Sequence, residues 1–166
     1  ADAMMDSVPM VCITGQVFSK VLGSDAFQET DVIGVTTSIT KWNYQITKAE
    51  QIPAVFAKAF YIANSGRPGP VVIDITKDAQ LQTLDFSYEK MSKIRSYRPK
   101  PKPKESELAA AAKLINEAKQ PMILAGHGIQ IAHAQDIFRK FVKKTGIPVG
   151  STIHGLGSLP NTDELF

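Results

Sequence analysis

The segment from Ala49 to Ile75 constrains the fold of this chain more than any other, because two regular elements follow each other across a very short turn. Apolar residues repeat at intervals of three and four up to Ser65, the pattern of an amphipathic helix: Ile52, Val55, Phe56, Ala59, Phe60 and Ala63. Residues 66–70, GRPGP, form a rigid turn into the apolar strand Val71–Ile75. Such a helix-to-strand unit is half of a crossover connection, so the sequence predicts an α/β fold with a parallel sheet.

A second apolar run, Val8–Thr14, is predicted to be another strand of this sheet, buried on both faces. The residues that follow, 15–31, combine glycines and polar side chains with an aromatic ring and two acids. Ligand loops of parallel sheets lie at the carboxyl ends of strands, so this stretch is predicted to be a binding loop. Its composition favours a loop up to Ala26 and places Phe27 at the start of a helix.

Two shorter elements are predicted in the same half of the chain. Residues 1–6 resemble the last turn of a helix, so the chain is expected to begin inside a larger fold. Residues 39–46 alternate in polarity, which suits a short strand with Trp42 and Tyr44 on its buried face.

A basic, proline-rich segment separates the two halves of the chain. The formal net charge is +3, and seven basic residues with no acid lie within residues 90–104, alongside Pro99, Pro101 and Pro103. A nucleic-acid interface would spread basic residues over a folded face, so we interpret this segment as a stiff, solvated linker and expect no nucleic-acid partner. The predicted division is one domain over 1–82, a linker over 83–104, and a second domain over 105–166.

The α/β pattern returns after the linker. A helix around residues 108–115 precedes the strand Met122–Ala125, which ends at Gly126-His127-Gly128. A second helix, 134–142, stops at Gly146 and gives way to the strand 147–149 and the loop 151–157. Both glycine loops follow strands and should lie at the same sheet edge, as in a nucleotide-binding sheet.

Several classes of function find no support in the sequence. Cys12 is the single cysteine, so an internal disulfide is excluded and a reducing or matrix-like compartment is expected. His127, His133 and His154 lack metal-ligand spacing, and no metal site is predicted. There is no nucleophile elbow, no P-loop, and no apolar run long enough to span a membrane, so no membrane partner is expected.

Several motifs taken together resemble one family of enzymes. In chain order they are ITGQV, GSDAFQETD, ITKWNY, FYIANSGRPGPVVIDITKDAQ, PMILAGHG and TGIPVGSTIHGLGSLP. They resemble the catalytic large subunit of the acetolactate synthase (acetohydroxyacid synthase) family, thiamine diphosphate enzymes of isoleucine, valine and leucine biosynthesis. The resemblance implies the parallel-sheet half of a pyrimidine-binding domain, a linker, and the start of a Rossmann-like central domain. It also implies an internal fragment, inactive alone, because the family's activating glutamate lies upstream and its Gly-Asp-Gly metal motif lies downstream.

The resemblance further implies roles for individual residues. Gln28 would lie near the thiamine reaction centre and bond to the substrate, Phe27 would form an apolar wall, and Lys77 would guide an anionic 2-oxoacid at the entrance. The implied contacts to FAD are Arg67, Gly126, His127, Gly128, Thr152, Ile153 and His154. The chain departs from the family where proline often follows Gly-Gln-Val and Phe18 stands here. His127 and His154 also depart from the pattern, so the FAD contacts at these two positions are expected through the backbone.

The implied reaction is decarboxylation of pyruvate on thiamine diphosphate, followed by condensation of the two-carbon unit with pyruvate or 2-oxobutanoate. Mg²⁺ would accompany thiamine diphosphate, and FAD would be structural. The implied assembly is a homodimer or homotetramer with active sites shared between subunits, which a regulatory small subunit can join. The expected location is the bacterial cytoplasm or, in a eukaryote, an organellar matrix or stroma.

Other functions remain open at this point. The intact protein could be a different thiamine diphosphate-dependent 2-oxoacid decarboxylase or oxidase. The two glycine loops, without catalytic parts, would also suit a non-catalytic nucleotide-binding module. The basic linker would suit a plain interaction domain that binds no cofactor.

Overall fold

The computed structural model describes all of residues 1–166, which form two compact units, Ala1–Pro101 and Lys102–Phe166. The first unit contains α1 (Asp2–Met5), β1 (Met10–Gln16), α2 (Val32–Thr36), β2 (Trp42–Ile46), α3 (Ile52–Asn64), β3 (Pro70–Thr76) and α4 (Lys77–Leu81). The second contains α5 (Glu105–Glu117), β4 (Ile123–Ala125), α6 (Gly128–Ile131), α7 (Gln135–Thr145) and β5 (Val149–Ser151). Single 3-10 turns occur at Ser19–Val21, Ala49–Gln51 and Ile153–Gly155.

The first unit is built on a three-stranded parallel sheet in the order β1-β3-β2. The central strand β3 is the most buried of the three, and Val71 and Ile73 are inaccessible to solvent. Parallel strands with apolar cores are covered by helices, and here α3 supplies Val55, Ala59 and Ile62 to the same apolar cluster. The predicted α/β fold with a parallel sheet is confirmed.

Helix α3 ends where the sequence predicts, but the α-helix itself begins at Ile52 rather than at Ala49, because a 3-10 turn over Ala49–Gln51 precedes it. The side-chain oxygen of Gln51 accepts hydrogen bonds from the backbone N–H groups of Thr47 (2.9 Å) and Lys48 (3.1 Å), which orders the chain into the helix. Pro53 lies in the first turn, where a missing N–H costs no helical bond. The helix ends at Ser65, and Gly66 follows in the left-handed conformation with a φ of 62°.

The prediction that the first apolar run is buried on both faces is wrong. Strand β1 pairs only with β3 and lies at the edge of the sheet. Val11 packs against the core cluster, but Ile13 on the same face remains 58% exposed. Apolar composition predicts a strand, but its burial depends on neighbouring strands and helices that composition does not reveal.

Part of the basic segment packs against the first unit. The hydroxyl group of Tyr97 donates a hydrogen bond to the carbonyl oxygen of Ser65 (2.9 Å), and its ring lies edge-on to Tyr61. The Nζ atom of Lys41 lies 5.8 Å from the centroid of the Tyr97 ring and donates to the carbonyl oxygen of Ser65 (2.7 Å). The segment is therefore attached at the carboxyl end of α3.

The second unit has a two-stranded parallel sheet, β4-β5, with a core of Ala125, Val142, Val149 and Leu159. Helix α7 ends at Gly146, whose φ of 66° is left-handed, as the sequence predicts. Strand β5 begins two residues later than predicted, at Val149, because Pro148 has no N–H to donate. None of the helices is both long and apolar enough to cross a lipid bilayer.

Candidate functional site

A pocket of about 350 Å³ opens at the carboxyl ends of β1 and β3. Its walls are Gly15, Gln16, Val17, Phe18, Val21, Ala26, Phe27, Gln28 and Lys77. Lys77 follows the pair Phe27 and Gln28 by about fifty positions in sequence, yet all three lie around one cavity. This is the edge of a parallel sheet at which ligands are generally bound.

Phe27 and Gln28 lie in a turn, so the prediction that Phe27 starts a helix is wrong. Gln28 has a left-handed backbone with a φ of 67°, which interrupts any helix at this point. Helix α2 begins only at Val32, after the carboxylate of Asp31 accepts a hydrogen bond from the N–H of Gly34 (2.8 Å). The ring of Phe27 is consequently 88% exposed.

The carboxylate of Glu29 shapes this turn from within. It accepts hydrogen bonds from the backbone N–H of Gly23 and from that of Ala26 (3.0 Å). These bonds, first the one from Gly23 and then the one from Ala26, lower the pKa of Glu29 below its ordinary value. The carboxylate of Glu29 therefore ties together the backbone of the loop from Gly23 to Glu29.

Lys77 is the first residue of α4 and faces the same pocket. Its ammonium lies 5.4 Å from the centroid of the Phe18 ring, a cation–π distance. The next residue, Asp78, accepts hydrogen bonds from the hydroxyl and the backbone N–H of Ser19, and these bonds hold the pKa of Asp78 far below its usual range. The loop after β1 is thus pinned to the start of α4.

A buried polar cluster beneath the pocket escaped the sequence predictions. Asp74 is inaccessible to solvent and accepts hydrogen bonds from Thr14 Oγ1 (2.7 Å), Gln45 Nε2 (2.9 Å) and Gln16 Nε2 (3.2 Å). The signal in the sequence is an acid inside an otherwise apolar strand, since a carboxylate is rarely buried without partners.

Arg67 lies away from this pocket. It belongs to the turn that precedes β3, at the opposite edge of the sheet. Its guanidinium donates hydrogen bonds to the hydroxyl of Ser7 (2.8 Å) and to the carbonyl oxygen of Met5 (2.7 Å). Arg67 thus ties the amino-terminal segment to the turn.

The two glycine loops meet in the second unit, where they follow the parallel strands β4 and β5. The rings of His127 and His154 are stacked, with centroids 5.1 Å apart. No atom lies within 4 Å of where a Cβ would stand on Gly126 or Gly128, so the backbone there is open to a ligand. By contrast, a Cβ on Gly155 would lie 2.3 Å from the carbonyl oxygen of Ala125.

Two further side chains, which the sequence predictions also missed, hold the loop that follows β5, residues 151–157. Gln130 Nε2 donates to the carbonyl oxygen of Leu156 (3.1 Å). Arg139 donates to the carbonyl oxygens of Gly157 and Ser158, both at 3.0 Å. These bonds fix the end of the loop that carries Thr152, Ile153 and His154, and all three of these residues are exposed.

Comparisons with known proteins agree with this architecture. Residues 108–166 match the family model described as "Thiamine pyrophosphate enzyme, central domain". The acetolactate synthase large subunit of Corynebacterium glutamicum is 47% identical over 165 residues, which cover 99% of this chain and 26% of that protein. The chloroplastic acetolactate synthase of Arabidopsis thaliana is also 47% identical, over 99% of this chain and 25% of its own length.

A solved structure gives the same result. The X-ray structure of a thiamin diphosphate-dependent enzyme from Mycobacterium smegmatis superposes with a TM-score of 0.72 and 28% identity, over 91% of this chain and 29% of the other. The chain spans about a quarter of the length of the curated relatives it matches. Because the similarity runs through both units, the resemblance seen in the motifs is confirmed, and the chain belongs to the acetolactate synthase family of thiamine diphosphate enzymes.

Proposed function

We propose that the full-length protein to which this chain belongs is an acetolactate synthase. It decarboxylates pyruvate and condenses the two-carbon unit with a second 2-oxoacid, pyruvate or 2-oxobutanoate. The observation that carries the proposal is the convergence of Phe27, Gln28 and Lys77 on one pocket, in a chain 47% identical to acetolactate synthases along almost its whole length.

The residues around the pocket suit a thiamine ring and an anionic substrate. Phe18 and Phe27 offer apolar surface, and the amide of Gln28 can donate a hydrogen bond to one oxygen of a 2-oxoacid and accept one from a hydroxyl or N–H group. Lys77 is exposed at the rim, where its positive charge attracts carboxylates. Thiamine diphosphate, when bound, supplies the electron sink for decarboxylation, while these residues orient the substrate and keep water away from it.

The second unit suits the FAD of this family. The open backbone at Gly126 and Gly128 allows close approach of a phosphate or ribose, and the exposed residues Thr152, Ile153 and His154 border the same strand ends. His127 would contribute backbone and ring surface beside His154. We include Arg67 as a contact to FAD; its Nη1 atom could donate to the cofactor while Nε and Nη2 keep their bonds to Ser7 and Met5.

Mg²⁺ does not fit any group of residues here. The chain contains no set of three or more histidine, cysteine or acidic residues placed to hold a metal ion. In our proposal Mg²⁺ is held elsewhere in the full-length protein, and we assign no step of the reaction to it within this chain.

We propose the following organisation for the intact protein. Residues 1–82 form the carboxyl-terminal half of a pyrimidine-binding domain, residues 83–104 a linker, and residues 105–166 the start of a central FAD-binding domain. The active enzyme is a homodimer or homotetramer with shared active sites and can be joined by a regulatory small subunit. Relatives include bacterial and chloroplastic enzymes, so we place the protein in the bacterial cytoplasm or an organellar compartment.

A product assay tests the proposed reaction. Full-length protein is incubated with pyruvate, Mg²⁺, thiamine diphosphate and FAD, and products are identified by mass spectrometry. Acetolactate is expected, and omission of thiamine diphosphate should abolish it. Acetaldehyde or acetyl phosphate without acetolactate would instead support the second candidate, a related decarboxylase or oxidase. The observation behind this candidate is the structural similarity to another thiamin diphosphate-dependent enzyme.

The isolated 166-residue chain serves as the companion sample. It supplies one wall of the thiamine pocket, so we expect no acetolactate from it under the conditions in which the full-length protein is active. Turnover by the isolated chain would contradict the proposed role as one part of a larger active site.

A further inference from the structure

We propose that Asp74 is a positioning residue that holds the turn of Phe27 and Gln28 in place through the amide of Gln16. The inference deepens the proposed function, because it assumes that this turn carries a substrate-binding side chain. It assigns to Asp74, in the central strand of the sheet, a role in determining the position of Gln28.

Asp74 occupies the middle of a row of side chains across the sheet. The parallel register sets it directly beside Thr14 of β1 and Gln45 of β2, so all three project from the same face. Both carboxylate oxygens are used: one accepts from Thr14 Oγ1 at 2.7 Å, and the other accepts from Gln45 at 2.9 Å and Gln16 at 3.2 Å. Both oxygens of Asp74 act as acceptors here, and each neighbouring amide turns its NH₂ group towards them.

Gln16 passes this orientation on to the loop. Its side chain is 7% exposed, and its Nε2 atom donates both to Asp74 and to the carbonyl oxygen of Thr30 (2.7 Å). Its Oε1 atom accepts from the backbone N–H of Val17 (2.9 Å). With Asp74 in place, the reversed amide would set its oxygen against the carboxylate and against the Thr30 carbonyl, so a single orientation is favoured.

The turn needs such an attachment because little else holds it against the sheet. None of residues 23–31 is buried, and Phe27 is 88% exposed. Glu29 bonds to Gly23 and Ala26, which shapes the turn internally but does not connect it to a strand. The bond from Gln16 to Thr30 makes that connection two residues from Gln28, which has a left-handed φ of 67°.

Substitutions can separate positioning from general stability. Gln16→Met keeps the length of the side chain but removes the donor to Thr30. Asp74→Asn keeps an oxygen for the two glutamines and can donate to the Thr14 hydroxyl, so it should preserve the attachment. Asn43→Ala is the matched control: Asn43 projects from the same face of β2 but bonds to Ile33 and Thr36 of α2.

Hydrogen exchange of the full-length protein, read by mass spectrometry, tests the proposal. In Gln16→Met we expect amides within 23–31 to exchange about tenfold faster, whereas Asp74→Asn should match the wild type. In Asn43→Ala the faster exchange should be confined to α2. In assays, Gln16→Met should lower kcat about tenfold with KM for pyruvate within about twofold, since a displaced turn costs orientation more than binding.

Unchanged exchange within 23–31 in folded Gln16→Met protein would overturn the proposal. If Gln16→Met does not fold, Gln16→Asn, whose amide is one methylene too short for Thr30, decides by the same criterion. Asp74→Leu removes the acceptor for Gln16, so unchanged exchange within 23–31 in folded Asp74→Leu protein would also overturn the role given to Asp74. The exchange measurement does not depend on catalysis, so a protein that makes no acetolactate would refute the proposed function and leave this test standing.

Discussion

The two loop clusters at the carboxyl ends of the strands are built by different means. After β1 and β3, the loop that carries Gln28 is held by side chains. Gln16 donates a hydrogen bond to the backbone of Thr30, Glu29 accepts one from the backbone of Ala26, and Asp78 accepts one from Ser19. After β4 and β5, the close approach of backbone segments at Gly155 sets the geometry. The first loop is therefore held along its turn by polar side chains, whereas the second needs the absence of a side chain at Gly155 and is held by polar side chains only at its end, residues 156–158.

This difference has a chemical counterpart. A pocket that orients a small 2-oxoacid needs directional donors, which side-chain amides and ammonium groups provide. A site for a large, mainly structural cofactor needs extended backbone surface that a ligand can approach closely, and Gly126 and Gly128 leave such a surface open. Each prediction below changes one of these features.

The largest effect is expected from removing the amide in the first pocket. If Gln28 orients the substrate as proposed, Gln28→Ala in the full-length protein should lower kcat about 100-fold, while thermal unfolding stays unchanged. Steady-state turnover of pyruvate and a melting curve measure both quantities. Gln120→Ala, at an exposed glutamine of the second unit, is the control and should have wild-type rates. Turnover close to wild type in Gln28→Ala would remove Gln28 from the site.

A methyl group added at Gly155, in the loop after β5, should lower the stability of the protein. In Gly155→Ala the new methyl group would meet the Ala125 carbonyl oxygen at 2.3 Å and Ser151 Oγ at 2.8 Å, so the loop must shift at a cost of about 2 kcal/mol in unfolding free energy. Gly126→Ala is the control, since its methyl group meets no atom within 4 Å. It should leave stability intact but weaken FAD binding in a fluorescence titration. Equal stability of the two variants would contradict the packing described here.

A smaller effect is expected from the charge at the rim of the first pocket. Lys77→Met retains apolar contact with the Phe18 ring but removes the cation, so KM for pyruvate should rise about threefold to tenfold with little change in kcat. Added salt should raise the KM of the wild type towards that of the variant, because screening weakens the same electrostatic attraction. Lys20→Met, an exposed lysine on the loop after β1, is the control. A fall in kcat with unchanged KM would assign Lys77 a different role.

The parts of the fold that could be predicted are those set by local pattern. The helix α3, the turn at Gly66 and the strand β3 follow from periodicity and from glycine and proline chemistry within one stretch of chain. The exposure of β1 could not be predicted, because it depends on the order of strands in the sheet. Patterns within a strand do not specify its neighbours.

The candidate site divides in the same way. The loop after β1 could be located from the strand that precedes it, whereas the naming of Phe27, Gln28 and Lys77 required resemblance to a family. The turn itself was missed, because a left-handed glutamine beside a carboxylate that bonds to Gly23 and Ala26 has no signature in residue type. The cluster around Asp74 was missed because it depends on register across three strands.

The smallest effect is expected from the acid that shapes the turn. Bonds from Gly23 and Ala26 lower the pKa of Glu29 below its ordinary value of 4.5, so their contribution is complete above that pH and is lost as pH falls through the lowered value. Glu29→Gln should increase cleavage of the loop by trypsin at Lys20 by about twofold at neutral pH, because a neutral acceptor forms weaker bonds. Protection factors for the amides of residues 23–29, corrected for the intrinsic pH dependence of exchange, should fall in the wild type as the acid is protonated, and the variant should lack this acid-dependent step. Asp25→Asn is the matched control on the same loop. An identical pH profile for wild type and Glu29→Gln would show that the turn holds its shape without the carboxylate, and the first loop would then resemble the second in depending on its backbone.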